Sequence, residues 1–260
     1  DNQNNKNYQN GYLIYNKDYI FKGKFLSKDP YRIAEICFNT SMTGYQEILT
    51  DPSYKSQFVN FTFPLIGIVG CNKEDFESWK IQASGMISNE IMSLSSNWRS
   101  KENFSKWLLD QNSCAFFDLD TRALTKIIRE HGPKNVMICS EEFYNKKGLD
   151  KIISLINSSL SLEQNDVIKE FTEELNLSKV DKHQNQLSIG FLNFGAKDNI
   201  KKNLKSRNCA LYEYDMNFKA DEIINLKLDG IFLSNGPGDP KKIYQNIKPE
   251  LKKLLNERIP

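Results

Sequence analysis

Between Asp229 and Pro240 the sequence reads DGIFLSNGPGDP, a short apolar run that passes directly into a loop of alternating glycine and proline. Such a run, bounded by turn residues, suits a strand buried on both faces of a parallel sheet. Ligands of such sheets bind in the crevice outside the carboxyl ends of the strands. Gly236 and Gly238 let backbone N–H groups face a ligand with no side chain in the way, while Pro237 and Pro240 restrict the backbone between and after them. The same string is also an ordinary turn between a strand and a helix, so loop chemistry alone leaves both readings open. The spacings GxxxxGK[ST] and GxGxxG are absent from it, which disfavours a nucleotide at this loop.

The residues before and after this loop give it a setting. From Leu187 the pattern predicts strand 187–193, helix 197–207, strand 209–214, helix 220–226, strand 230–234 and helix 242–257. That alternation is the start of a doubly wound α/β domain over 187–260, with Arg258-Ile259-Pro260 reading as the lead-in to a further strand. The domain is expected to be cut short at that point.

Residues 11–157 read as a separate domain of mixed β and α signals. Tyr12–Tyr15, a polar Asn16-Lys17-Asp18 turn and Tyr19–Phe21 predict a hairpin. Further strands are expected at 33–38, 57–63, 114–117 and 136–139. A helix is expected over Thr121–His131, capped by Asp120 or Thr121 and stopped at Gly132-Pro133, with His131 as a capping or dipole contact. Leu149, Ile152, Ile153 and Ile156 stand at helical spacing. The polar stretch 158–186 reads as a linker, and the Asn-rich residues 1–10 as a disordered start.

Composition narrows the function classes. With 260 residues, 39% of them hydrophobic, the chain has material for two cores. Thirty-five basic against 33 acidic residues leave a net charge of +2, and no global field then draws the chain to nucleic acid or an anionic membrane. Small-molecule or protein partners are expected. Five scattered cysteines without a CxxC pair argue against a disulfide framework and for a reducing, cytoplasmic compartment. His131 and His183 have no Cys or His neighbour at ligand spacing, so no metal site is expected. No apolar run approaches the roughly 18–20 residues that span a bilayer.

The segment Phe38–Tyr54, FNTSMTGYQEILTDPSY, closely resembles the signature of the glutamine-hydrolysing small subunit of carbamoyl-phosphate synthetase. The resemblance continues through Phe63–Gly70, Asp118–Thr125, Phe194–Lys197 and Asp229–Pro240. It implies a small-subunit N-terminal domain followed by a class I glutamine amidotransferase domain. It implies glutamine hydrolysis through a cysteine thioester, and ammonia delivered to a large synthetase subunit or a fused synthetase domain for pyrimidine or arginine synthesis. L-glutamine is the implied substrate. No cofactor is implied in this region, since ATP, Mg and bicarbonate are used by the synthetase part.

By the same resemblance, Gly236 supplies a backbone N–H to the oxyanion that forms when a thiolate attacks the amide, an interaction worth roughly 3–4 kcal/mol per donor. Gly238 would hold the α-amino or α-carboxylate end of glutamine, and Ser53 would reach over from the N-terminal domain with its hydroxyl. Lys197 is a further candidate, with a first-turn surface lysine as the alternative.

Three departures stand out. Leu65 and Ile68 replace residues that are polar in the family, and Asn193 stands where Asp is common. No Gly-x-Cys-x-Gly elbow occurs in the 260 residues, so this stretch alone is expected not to hydrolyse glutamine. A non-catalytic docking or regulatory module is the alternative. Another class I amidotransferase, of the anthranilate or GMP synthetase kind, would share the Asn-Gly-Pro-Gly loop but not the 39–54 signature.

Overall fold

The computed structural model describes residues 8–92, 94–160, 167–175, 177 and 186–260. The chain folds into two compact units, 1–161 and 162–260.

The first unit is a closed barrel built on a hairpin longer than the sequence suggests. Strands β1 (Gln9–Ile14) and β2 (Ile20–Leu26) pair antiparallel from Gln9–Phe25 to Ile14–Ile20. The Asn16 side-chain oxygen closes the turn by accepting from the Asp18 and Tyr19 amides at 2.9 and 2.8 Å. Gln9 and Asn10 are thus strand residues, a correction to the disordered start expected over 1–10, whose residues 1–7 lie outside the described ones. The partner strand supplies the backbone pairing that the polar side chains do not advertise.

The chain continues through β3 (Tyr31–Asn39), α1 (Tyr45–Thr50), a 3-10 turn (Pro52–Tyr54), β4 (Gln57–Phe61), β5 (Leu65–Ile66), β6 (Gly85–Ile87) and β7 (Glu90–Ile91). It then forms α2 (Phe104–Asp110), β8 (Cys114–Phe117), α3 (Thr121–His131), β9 (Asn135–Ser140), α4 (Glu141–Lys147) and α5 (Leu149–Ser158). The barrel order is β1-β2-β8-β6-β4-β3-β9, and β9 returns to β1.

Side-chain alternation with a period of two sorts each strand between interior and exterior. Leu13, Phe25, Ile36, Phe58, Ile87, Phe116 and Ile138, one from each of the seven strands, meet Leu124 and Ile128 of α3 in one buried cluster. The alternate residues Val59, Phe61, Met86 and Ala115 pack outward on Leu49 of α1 and on Phe104, Trp107 and Leu108 of α2. Ile14, Met137 and Cys139 pack under Ile152 and Ile156 of α5.

Helix α3 covers the predicted span. Asp120 caps it by accepting from the Ala123 amide at 2.9 Å, and Gly132 ends it at φ 82°. The Tyr15 hydroxyl donates to the Gly132 carbonyl at 2.7 Å. The interior Asn60 amide donates to Thr125 Oγ1 at 2.9 Å and to the Thr121 carbonyl at 3.3 Å, which joins α3 to β4.

The second unit contains α6 (Val167–Glu174), β10 (Leu187–Leu192), α7 (Asp198–Ser206), β11 (Cys209–Tyr214), α8 (Ala220–Asn225), β12 (Gly230–Leu233) and α9 (Pro240–Asn256). Helix α6 corrects the linker expected over 158–186, because Val167 and Phe171, four residues apart on one helix face, are both buried. Ser158 likewise closes α5, and residues 161–166, 176 and 178–185 lie outside the described ones.

All three strands are parallel, in the order β11-β10-β12. Ile200 and Leu204 of α7 cover one face through Phe191 and Leu211, and Ile223 of α8 with Ile247 and Leu254 of α9 cover the other through Leu192. This is doubly wound packing. Outside the β10–β12 ladder, the Ile231 amide donates to the Pro260 carbonyl at 2.7 Å.

Candidate functional site: the carboxyl end of the parallel sheet

The chain leaves β10 for β11 on one side and later returns to place β12 on the other. The loops that follow β10 and β12 therefore diverge at the point where strand order reverses, the position at which doubly wound sheets open a ligand crevice.

The loop after β10 is organised by Asn193, which is 1% exposed. Its side-chain oxygen accepts from the Gly195 amide at 3.1 Å and from the Ala196 amide at 3.0 Å, an Asx turn that bends the chain sharply off the strand. Gly195 adopts φ 119°, open to glycine and strained for other residues. Lys197 follows as the N-cap residue of α7.

The loop after β12 is stitched to the first. Ser234 Oγ accepts from the Phe194 amide at 2.9 Å and donates to the Asn235 carbonyl at 2.6 Å. Gly236 lies so close to Phe194 that a Cβ there would fall on the Phe194 carbonyl oxygen and 2.8 Å from its carbon. Pro237 is buried, Gly238 takes φ 81°, and Asp239 caps α9 by accepting from the Lys241 amide at 2.9 Å. Both glycines are therefore required by backbone geometry, at Gly236 for close approach and at Gly238 for the left-handed turn.

Gly236, Gly238 and Lys197 thus gather at one end of the second unit's sheet, with Lys197 at the head of α7. Ser53 belongs to the first unit, where it lies in the 3-10 turn and its amide donates to Asp51 Oδ1 at 2.9 Å. Asn193, Ser234 and Glu213, whose Oε2 accepts from Asn193 Nδ2 at 3.3 Å, stand beside these loops, and sequence reasoning assigned none of them a place there. The signal for Asn193 was present, since an Asx residue at a strand end before Gly-Ala favours this turn. No comparable signal marks Glu213, whose burial depends on tertiary packing.

Most of the 39–54 segment is engaged inside the first unit. Tyr45 Oη accepts from the Val69 amide at 2.9 Å, and Gln46 exchanges two hydrogen bonds with the Asn72 backbone at 2.6 and 3.0 Å. Thr50 Oγ1 accepts from the Glu77 amide at 2.9 Å, and Ser78 Oγ donates to the Thr50 carbonyl at 2.6 Å. These bonds hold the long 64–83 excursion against α1. The departures at Leu65 and Ile68 fall in that excursion, around Gly67 at φ 102°.

Four of the thiols are not primed for attack. Burial pushes Cys37, Cys71, Cys114 and Cys139 each up to about 12, so they stay protonated near neutrality. All five cysteines are free.

Comparison with known proteins meets this geometry. Residues 13–138 match the family model for the carbamoyl-phosphate synthase small chain, CPSase domain, and residues 191–260 match that for class I glutamine amidotransferases. The carbamoyl phosphate synthase small chain of Campylobacter jejuni is 37% identical over 265 residues, covering 96% of this chain and 70% of that protein. The chain belongs to the carbamoyl phosphate synthase small chain family. The small chains of Vibrio cholerae and Clostridium acetobutylicum are each 36% identical, covering 95% of this chain and 68% of theirs. The barrel corresponds to the small-chain domain and the doubly wound unit to the amidotransferase domain, the α/β architecture expected from sequence. Among the described residues, no helix is long and apolar enough to cross a membrane.

Proposed function

We propose that the crevice outside β10 and β12 is the glutamine site of the glutaminase component of a carbamoyl phosphate synthase. The observation that carries this reading is the seating of Gly236 on the Phe194 backbone at a topological switch point, which fixes a bare loop backbone where a substrate amide would lie.

Thiolate attack on the glutamine Cδ makes a tetrahedral carbon with negative charge on oxygen. The Gly236 N–H donates to that oxygen. Because the loop is already stitched to the neighbouring loop by Ser234 Oγ, it need not reorganise as the charge forms. Gly238 holds the α-amino or α-carboxylate end, and Lys197 is a lesser contributor.

The nucleophile belongs to a Gly-x-Cys-x-Gly elbow that the 260 residues do not contain, and the buried thiols above do not replace it. In our reading this stretch binds L-glutamine and leaves it intact. Released ammonia goes to a large synthetase subunit or fused synthetase domain, where ATP, Mg and bicarbonate are used, and this region carries no cofactor of its own. A reducing cytoplasm suits five free cysteines.

The test is calorimetric titration with L-glutamine beside an ammonia assay. Saturable heat without ammonia is expected, with the heat lost in Gly236→Ala. Ammonia release by the 260-residue chain would refute the assignment of the nucleophile, and absence of binding would refute the site.

A further inference from the structure

We infer that Glu213 is a positioning residue for the crevice, acting through Asn193 to hold the Gly195–Ala196 turn. The inference rests on the reading that this crevice receives glutamine.

Glu213 lies on β11, and its side chain is wholly buried. Its Oε2 accepts from Asn193 Nδ2 at 3.3 Å and lies 3.7 Å from Lys201 Nζ, which itself stands 3.5 Å from Asp198 Oδ1. The Glu213 Oε1 atom is buried without a hydrogen-bond partner.

Asn193 carries one acceptor and one donor group on its side-chain amide. Two backbone N–H groups require the oxygen on the loop side, so the NH2 must face β11, where Glu213 accepts from it. Without that acceptor, the buried NH2 has no reason to stay put, and the orientation of the oxygen toward Gly195 and Ala196 loses its anchor.

The pair also accounts for the Asn193 departure noted in the sequence. A carboxylate at 193 could still accept from the two amides, but its second oxygen would then meet the Glu213 carboxylate, and two buried like charges at that distance repel. An amide at 193 and a carboxylate at 213 are matched, with Lys201 supplying the neighbouring positive charge.

Amide hydrogen exchange of Gly195 and Ala196, read by NMR in the whole chain, tests the pairing near neutral pH. Asn193→Asp is expected to accelerate exchange at both amides about tenfold or more, the scale of one lost buried hydrogen bond. The double change Asn193→Asp with Glu213→Gln is expected to restore protection to within about threefold of the parent, because the glutamine NH2 then donates to the aspartate. A role limited to bulk packing would not show this rescue. Glu213→Gln alone keeps an acceptor for Asn193 and is expected to leave both amides protected, which covers the case in which Asn193→Asp does not fold.

Unchanged exchange in Asn193→Asp, no rescue in the double variant, or loss of protection in Glu213→Gln alone would each overturn the inference. L-glutamine affinity measured on the same folded proteins separates the two readings. If protection follows the charge pattern while no protein binds glutamine, the positioning role stands and the substrate assignment fails.

Discussion

The Phe194 carbonyl oxygen occupies the place where a side chain on Gly236 would begin. This single approach ties the loop after β12 to the loop after β10 and leaves no room for a Cβ. Gly236→Ala must push the two loops apart, at an expected cost of about 1–3 kcal/mol to the second unit. All three tryptophans, Trp79, Trp98 and Trp107, lie in the first unit. The loss therefore belongs in a urea transition followed by circular dichroism while tryptophan fluorescence stays at its parent midpoint. An unchanged dichroism midpoint would contradict the close approach.

Gly238→Ala separates conformation from contact. At φ 81° an alanine is strained by about 1 kcal/mol. A modest drop in the same transition is expected, smaller than for Gly236→Ala. A larger drop would place the tighter constraint at 238.

Asn60 offers the matching test in the barrel. It is fully buried and bonds α3 at Thr125 and Thr121. Asn60→Ala removes both bonds donated by the amide and leaves a small void, while Thr125 Oγ1 still donates to the Thr121 carbonyl at 2.7 Å, so the first unit should lose about 1–3 kcal/mol in urea, read by the fluorescence of buried Trp107. Thr125→Ala should cost less, since the Thr121 carbonyl still receives the Asn60 amide.

The buried thiols set an alkaline limit. Cys114 is raised from 9.0 to about 12 by burial, so the folded state holds its proton where the unfolded chain has released it. Its contribution is fully present below pH 9 and is lost as pH rises toward 12. The slope is about 1.4 kcal/mol per pH unit for each such group. The melting temperature should fall across that window and fall less steeply in Cys114→Ala. Disulfide-exchange reagents at pH 8 should label Cys71, Cys114 and Cys139 only on unfolding; rapid labelling of these three in the folded chain would contradict their burial.

Sequence legibility followed period and capping. The α3 boundaries were readable because Asp120 and Gly132 bracket an amphipathic run, and the β10–α9 alternation because each strand is a short apolar run ended by turn residues. Strand β6 has three residues, too few side chains to show a period, so closure of the sheet into a barrel was invisible, as was the separate two-stranded pairing of β5 with β7. Gly236 and Gly238 announced themselves as glycines among prolines. Glu213 did not, since nothing in Tyr212-Glu213-Tyr214 distinguishes a carboxylate buried against Asn193 and Lys201 from one facing water.

The central claim is that glutamine occupies the end of the β10–β12 crevice, and residue-resolved NMR titration with L-glutamine tests it most directly. Saturable shifts concentrated at Gly195, Ala196, Gly236 and Gly238, absent with D-glutamine, are the expected result. Shifts confined to the barrel, or none at saturating glutamine, would contradict it.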